Sequence, residues 1–213
     1  MKTLAITAVV VCLAFINSPT LASETYEITS LGILDSNAGF NLRITEPGET
    51  GSTFFVFEEA GKIRMYAVKV DGEVDWTVFP DAQYLCQATS MSINDTWRFL
   101  DEDGAETVAT VVAQQSVTTS AGTFSCFKVD VELASDLGAV RESLWFSSGF
   151  GLVRDLDFFV GSVAITWQTD LISHNLAGGS GFFPLAVGNI WDYEETLLPV
   201  ESTTWGAIKS KFK

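Results

Sequence analysis

The sequence predicts an all-β protein, a curved antiparallel sheet of about 10–12 strands built as a half-open barrel or a sandwich, followed by a short C-terminal helical tail. Three observations carry this. Apolar residues recur at every second position in short runs, clusters of Gly, Asp, Asn and Ser separate the runs, and helical periodicity is almost absent before residue 201.

The alternation places strands over residues 25–31, 39–45, 53–58, 63–70, 74–79, 96–101, 106–116, 123–133, 142–146, 152–159 and 163–169. Between them, Glu46-Pro47-Gly48, Asp71-Gly72, Asp103-Gly104, Ala121-Gly122 and Asp136-Leu137-Gly138 put Gly or Pro where the chain must reverse, so neighbouring strands pair antiparallel. In the run 123–133, Phe127, Val129, Val131 and Leu133 share one face while Lys128, Asp130 and Glu132 share the other, a half-wet strand. Phe124 and Cys126 fall on the charged side, which calls for a covering segment at that end. Phe54 and Val56 oppose Phe55 and Phe57, so both faces of that strand should be covered.

The first residues read as an export signal. Lys2 gives a positive start, residues 4–15 form an apolar run interrupted only by Thr7, and Thr20-Leu21-Ala22 offers small residues at the positions a signal peptidase reads, with cleavage expected after Ala22. The run is shorter than the roughly 20 apolar residues of a membrane span, and no later stretch approaches that length, so no membrane span is expected. Lipidation at Cys12 is disfavoured because Val11 precedes it and the apolar run continues beyond. The expected organisation is a signal peptide at 1–22, an antiparallel β domain at 23–176, a Gly-rich joint and additional strand at 177–200, and a basic amphipathic tail at 201–213. The product is expected in the periplasm or outside the cell.

Loss of Lys2 with the signal reduces the 12 basic residues to 11 against 27 acidic ones, a net charge of −16. Such a field repels nucleic acid and anionic lipid, so neither is an expected partner. Two cysteines remain, Cys86 and Cys126, and in an oxidising compartment a lone pair reads as a disulfide. Closing that loop would stabilise the fold by about 4 kcal/mol in the chain-entropy picture.

Past residue 175 the character changes. Gly178-Gly179-Ser180-Gly181 reads as a flexible joint. Asn189-Ile190-Trp191 in the strand that follows echoes Asn94-Asp95-Thr96-Trp97.

Three motifs carry a resemblance. They are Ser120-Ala121-Gly122-Thr123-Phe124-Ser125-Cys126-Phe127-Lys128-Val129, then Leu144-Trp145-Phe146 continuing to Gly149-Phe150-Gly151-Leu152-Val153-Arg154, and Phe182-Phe183-Pro184-Leu185-Ala186-Val187-Gly188-Asn189-Ile190-Trp191-Asp192-Tyr193. Together they resemble a group of secreted bacterial β-rich proteins and lipoproteins of unknown function. In that group a Val-Gly-Asn-x-Trp strand precedes an Ala-Gly-Thr-Phe-x-Cys-x-Lys-Val strand and a Trp-Phe-x-x-Gly-x-Gly-Leu-Val hairpin. Here the clearest Val-Gly-Asn-x-Trp copy follows the hairpin, and only residues 92–97 stand in the expected place, as in a permuted, truncated or duplicated unit. The resemblance implies a curved antiparallel sheet and transfers no catalytic residue.

Chemistry-bearing motifs are few. His174 is the single histidine and lacks a Gly-x-Ser-x-Gly nucleophile context, so it reads as a strand-end residue. One histidine and two separated cysteines do not supply a zinc site, and no metal or cofactor is expected. The acidic run Asp101-Glu102-Asp103-Gly104-Ala105-Glu106 fails the EF-hand register, with Phe99 and Thr110 at ligand positions, and reads as a solvated hairpin tip. Asp155 and Asp157 flank Leu156 on one strand face, where a solvent-facing edge is the simpler reading than an acid and base pair. Six tryptophans are present, and core filling is their default role. Trp97, Trp145 and Trp167, each in a strand, are the residues expected to wall an apolar concavity if the sheet has one.

In the tail, Trp205, Ile208 and Phe212 are spaced for one helical face, and Lys209, Lys211 and Lys213 are suited to a helix C-terminus. A docking or sorting role and packing back onto the acidic body are both open readings. The expected function is binding, by an exported non-enzymatic protein, of an apolar small molecule or an envelope protein. The rival is a secreted hydrolase using Asp155, Asp157 or His174.

Overall fold

The computed structural model describes residues 23–100, 105–137, 139–160 and 164–198. The export signal at 1–22, the acidic run at 101–104 and the tail at 201–213 lie outside these residues.

Twelve strands follow in chain order: β1 Ser23–Leu34, β2 Asn37–Thr45, β3 Ser52–Glu59, β4 Lys62–Val70, β5 Thr77–Gln87, β6 Thr96–Leu100, β7 Glu106–Thr119, β8 Gly122–Leu133, β9 Val140–Ser147, β10 Gly151–Val160, β11 Ala164–Asn175 and β12 Ile190–Leu198. All belong to one antiparallel sheet in the order β5-β4-β3-β2-β1-β12-β11-β10-β9-β8-β7-β6. A sandwich would need two facing sheets, so that alternative is corrected. The sheet is open, because no described ladder joins β5 to β6.

The topology is two meanders sealed by the last strand. β1 to β5 run outward to one edge, β6 to β11 run inward from the other, and β12 pairs with β1 on one side and β11 on the other. The sequence of β12 suits this central place. Trp191 and Tyr193 are buried on one face, and between them Asp192 projects from the other. There its carboxylate accepts from Thr25 Oγ1 at 2.8 Å on β1 and from Ser173 Oγ at 2.6 Å on β11, clamping both neighbours.

Register carries one apolar face across the sheet. Ile28 stands opposite Leu42, Leu42 opposite Phe54 and Phe54 opposite Val68, while in the other meander Val111, Val129 and Leu144 stand in line. All belong to one core cluster, which requires the sheet to curve so that its two wings share an interior. Bulges in β1, β4, β5, β7, β9, β10 and β11 supply local bends. On the opposite face Phe55, Phe57 and Ala67 form a second, smaller cluster with Leu34, Tyr66 and Trp76 against it, so both faces of β3 are covered, as its sequence requires.

The expected Cys86–Cys126 bridge is not formed; both are free, fully buried thiols. Cys86 pairs with Ile63 and shares its concave face, whereas Cys126 alternates with Val129 and Val131 and therefore points to the other face. Burial raises both thiol pKa values, that of Cys126 to about 11. The stretch read as a flexible joint is tied into the fold. Asn189, fully buried, accepts from the amides of Ala177 (2.7 Å) and Gly178 (3.2 Å) and donates to the carbonyls of Gly178 (3.0 Å) and Pro184 (2.6 Å). Residues 176–189 thus form a loop laid over one end of the core, with Phe182 N bonded to Ala88 O at 3.0 Å and Phe183 stacked on Trp191.

Candidate functional site

The β7–β8 hairpin is longer than its neighbour. The last β8–β9 pair is Cys126 with Ser147, so the hairpin tip overhangs the β9–β10 turn without a strand partner on that side. Arg154 steadies it: the guanidinium is held by Asp170 (Nη2 to Oδ2, 2.8 Å) and donates through Nη2 to Thr118 O at 3.4 Å. Under the tip lies a cavity of about 520 Å³. Its walls include Phe124 and Phe127 from β8, Phe150 from the β9–β10 turn, His174 from β11, Phe182 from the 176–189 loop and the buried Ser147.

The ring geometry is that of a built wall. Phe150 lies 5.1 Å from Phe124 and 5.2 Å from His174, both edge-on, and Phe127 meets Phe182 at 5.6 Å. Edge-on contacts hold rings in place without filling the space between them. Phe150 itself is fixed because its carbonyl accepts from Trp191 Nε1 at 2.6 Å. The cavity sets aromatic rings beside imidazole, hydroxyl and amide groups, able to orient a ligand that carries both apolar and polar parts.

A second group of side chains lies at the other end of the concave face. Glu142 stands opposite Asp157, Asp155 opposite Thr169, Thr169 opposite Glu195, and Glu24 opposite Tyr193. Glu46, just past β2, interacts with both Glu24 and Glu195. Burial is the main cause that raises all six carboxyl pKa values, and repulsion from neighbouring carboxylates adds to it at Glu24, Glu46, Glu142, Asp155 and Glu195: Glu24 to about 7, Glu142 to about 8, Asp155 well above its usual range, and Glu46, Asp157 and Glu195 upward. Asp155 is only 3% exposed, hydrogen-bonds to Glu142, and leaves Oδ1 without a partner. Among the described residues no group of three or more His, Cys, Asp or Glu side chains is arranged to hold a metal ion.

The residues singled out from sequence are scattered over the sheet. Trp97 is buried opposite Ala109, and Trp167 is half-buried opposite Asp157, both on the concave face. Trp145 is buried on the other face, opposite Lys128 and Arg154, with the Lys128 ammonium 5.4 Å from its ring. None of the three lines the cavity. Asp155 and Asp157 are not at a solvent-facing edge, since β10 is an interior strand of the sheet, and they are not brought together with His174, whose ring contacts are Phe124 and Phe150. The cavity phenylalanines were not singled out. The signal that could have found them is the odd placement of Phe124 and Cys126 on the charged side of β8.

The fold and site define an all-β protein with an open, curved antiparallel sheet and an aromatic cavity at one rim. Comparison with known proteins finds no matching family model, no matching curated protein and no matching solved structure.

Proposed function

We propose that the chain is an exported, non-enzymatic binding protein whose sheet, a half-open barrel, holds a small and largely apolar ligand under the β7–β8 tip. The supporting observation is the cavity itself, whose volume of about 520 Å³ falls in the range of small-molecule sites and whose walls set four phenylalanines beside polar groups from His174, Gln114, Thr123 and three serines. A concave space lined by aromatic rings fits a small molecule better than a protein surface, which would meet a broader and flatter patch.

The test is titration with an environment-sensitive apolar dye, 1-anilinonaphthalene-8-sulfonate, on the mature protein and on Ser148→Trp. Ser148 is exposed at the cavity mouth, so the indole can fill the space without disturbing the core. Saturable binding at one site, lost in the variant, supports the reading; equal binding by both proteins rejects it.

A second reading rests on Glu142, Asp155 and Asp157, three carboxyls of raised pKa on one face, a setting in which acid and base roles can separate. It predicts turnover of some substrate in a broad hydrolase screen, abolished by Asp157→Ala. Absence of any turnover removes it.

A further inference from the structure

We propose that residues 199–213 of this chain dock on the acid-lined end of the concave face, with Lys209, Lys211 and Lys213 placed among Glu24, Glu46, Glu142, Asp155, Asp157 and Glu195. The face has a structural need for cations. Five ion pairs join the described residues, Arg43–Asp71, Arg64–Glu59, Arg98–Glu106, Lys128–Asp130 and Arg154–Asp170, and none of them reaches these six carboxyls. Buried polar atoms in folded proteins are nearly always hydrogen-bonded, yet Asp155 Oδ1 has no partner while its residue is 97% removed from solvent. An ammonium group supplies three donors and the missing charge at once. It would also offset the burial, and the lesser repulsion, that raise the Glu142 and Glu24 pKa values.

The occupant follows from where the chain goes. β12 ends at Leu198, three residues beyond Glu195 and at the acid-lined end of the sheet. Lys209 is eleven residues farther on, and an extended segment of that length reaches about 35 Å, comparable to the length of the 11- and 12-residue strands. The segment carries Glu201 and three lysines, a net charge of +2 set against a face of six acids. It also carries Trp205, Ile208 and Phe212. Beside the carboxyls, Leu197 is 50% exposed opposite the half-buried Trp167, an apolar strip for those side chains to cover.

Zero-length carbodiimide coupling of the full mature chain, followed by peptide mapping, tests this directly. Lys128 and Asp130, 2.7 Å apart, provide the internal control. The expected result is amide bonds within one molecule from the tail lysines to Glu24, Glu142, Asp157 or Glu195, lost in 1 M salt. Control coupling without tail coupling, or tail coupling only between molecules or to exposed Asp71 or Glu73, overturns the proposal. Preferential coupling of added ethylenediamine to Glu142 or Asp157 also overturns it, leaving the face to an external amine.

Discussion

Trp191 donates its indole hydrogen to the carbonyl of Phe150 at 2.6 Å, joining the strand that seals the two meanders to the turn that walls the cavity. The two residues are 41 positions apart in sequence. One contact therefore couples the integrity of the sheet to the shape of the site. Trp191→Phe keeps most of the buried ring and removes the donor, so it should cost about 1–3 kcal/mol in chemical denaturation and weaken dye binding in parallel. Lost stability with unchanged dye affinity would break the link.

The 176–189 loop should fail at two particular points. Asn189→Ala removes all four hydrogen bonds of a buried amide and should destabilise by about 2–4 kcal/mol, with fast hydrogen exchange appearing at Ala177 and Gly178. Gly181 has φ +86°, and a Cβ there would stand 1.9 Å from Ala88 O, so Gly181→Ala must push the loop off the core. A loss of about 2 kcal/mol or more is expected, read as a lowered Tm.

Stability should fall as pH rises, the reverse of the usual carboxylate behaviour. Glu24 and Glu142 titrate near 7 and 8 in the folded chain and in the ordinary glutamate range when unfolded, so between those limits the folded state holds more protons. Their contribution is complete below the unfolded pKa and is lost as pH passes through the folded values. With Lys209, Lys211 and Lys213 changed to Gln, so that no tail cation faces these carboxyls, denaturation midpoints measured from pH 5 to pH 9 should decline, and Glu142→Gln in that background should flatten the decline and give a higher midpoint at pH 9. A midpoint rising over this interval would contradict the carboxyl arrangement.

Both thiols should be unreactive until the chain unfolds, because burial removes them from reagent and disfavours the thiolate. Ellman's reagent should find no thiol in native protein and two in denaturant without reductant. No thiol in unreduced, denatured protein would mean that the bridge does form.

The strands were legible where alternation alone decides them. β1 to β4 and β6 to β10 fall on the predicted runs because turn residues bound each of them; most alternate apolar with polar positions, while β3 is apolar on both faces and β10 turns Asp155 and Asp157 inward. β5 was misplaced, read at 74–79 and found at Thr77–Gln87, because Pro80 interrupts the pattern and two bulges shift its pairing with β4. The strand nature of 190–198 was readable; its central position was not, since the choice of β1 and β11 as partners depends on nonlocal contacts. The same limit hid the cavity. Phe124, Phe150, His174 and Phe182 come from four separate segments, and only the curvature of the sheet brings their rings together. The acid-lined face was half visible in Asp155 and Asp157, but register, not sequence, adds Glu142, Glu195 and Glu24.

Native mass spectrometry of the mature protein, prepared gently from the cells that make it, tests the central claim most directly. The account predicts a small-molecule mass excess that vanishes on denaturation and is missing from Ser148→Trp. A bare mass in the parent, or the same excess in both proteins, would contradict a ligand held in the aromatic cavity.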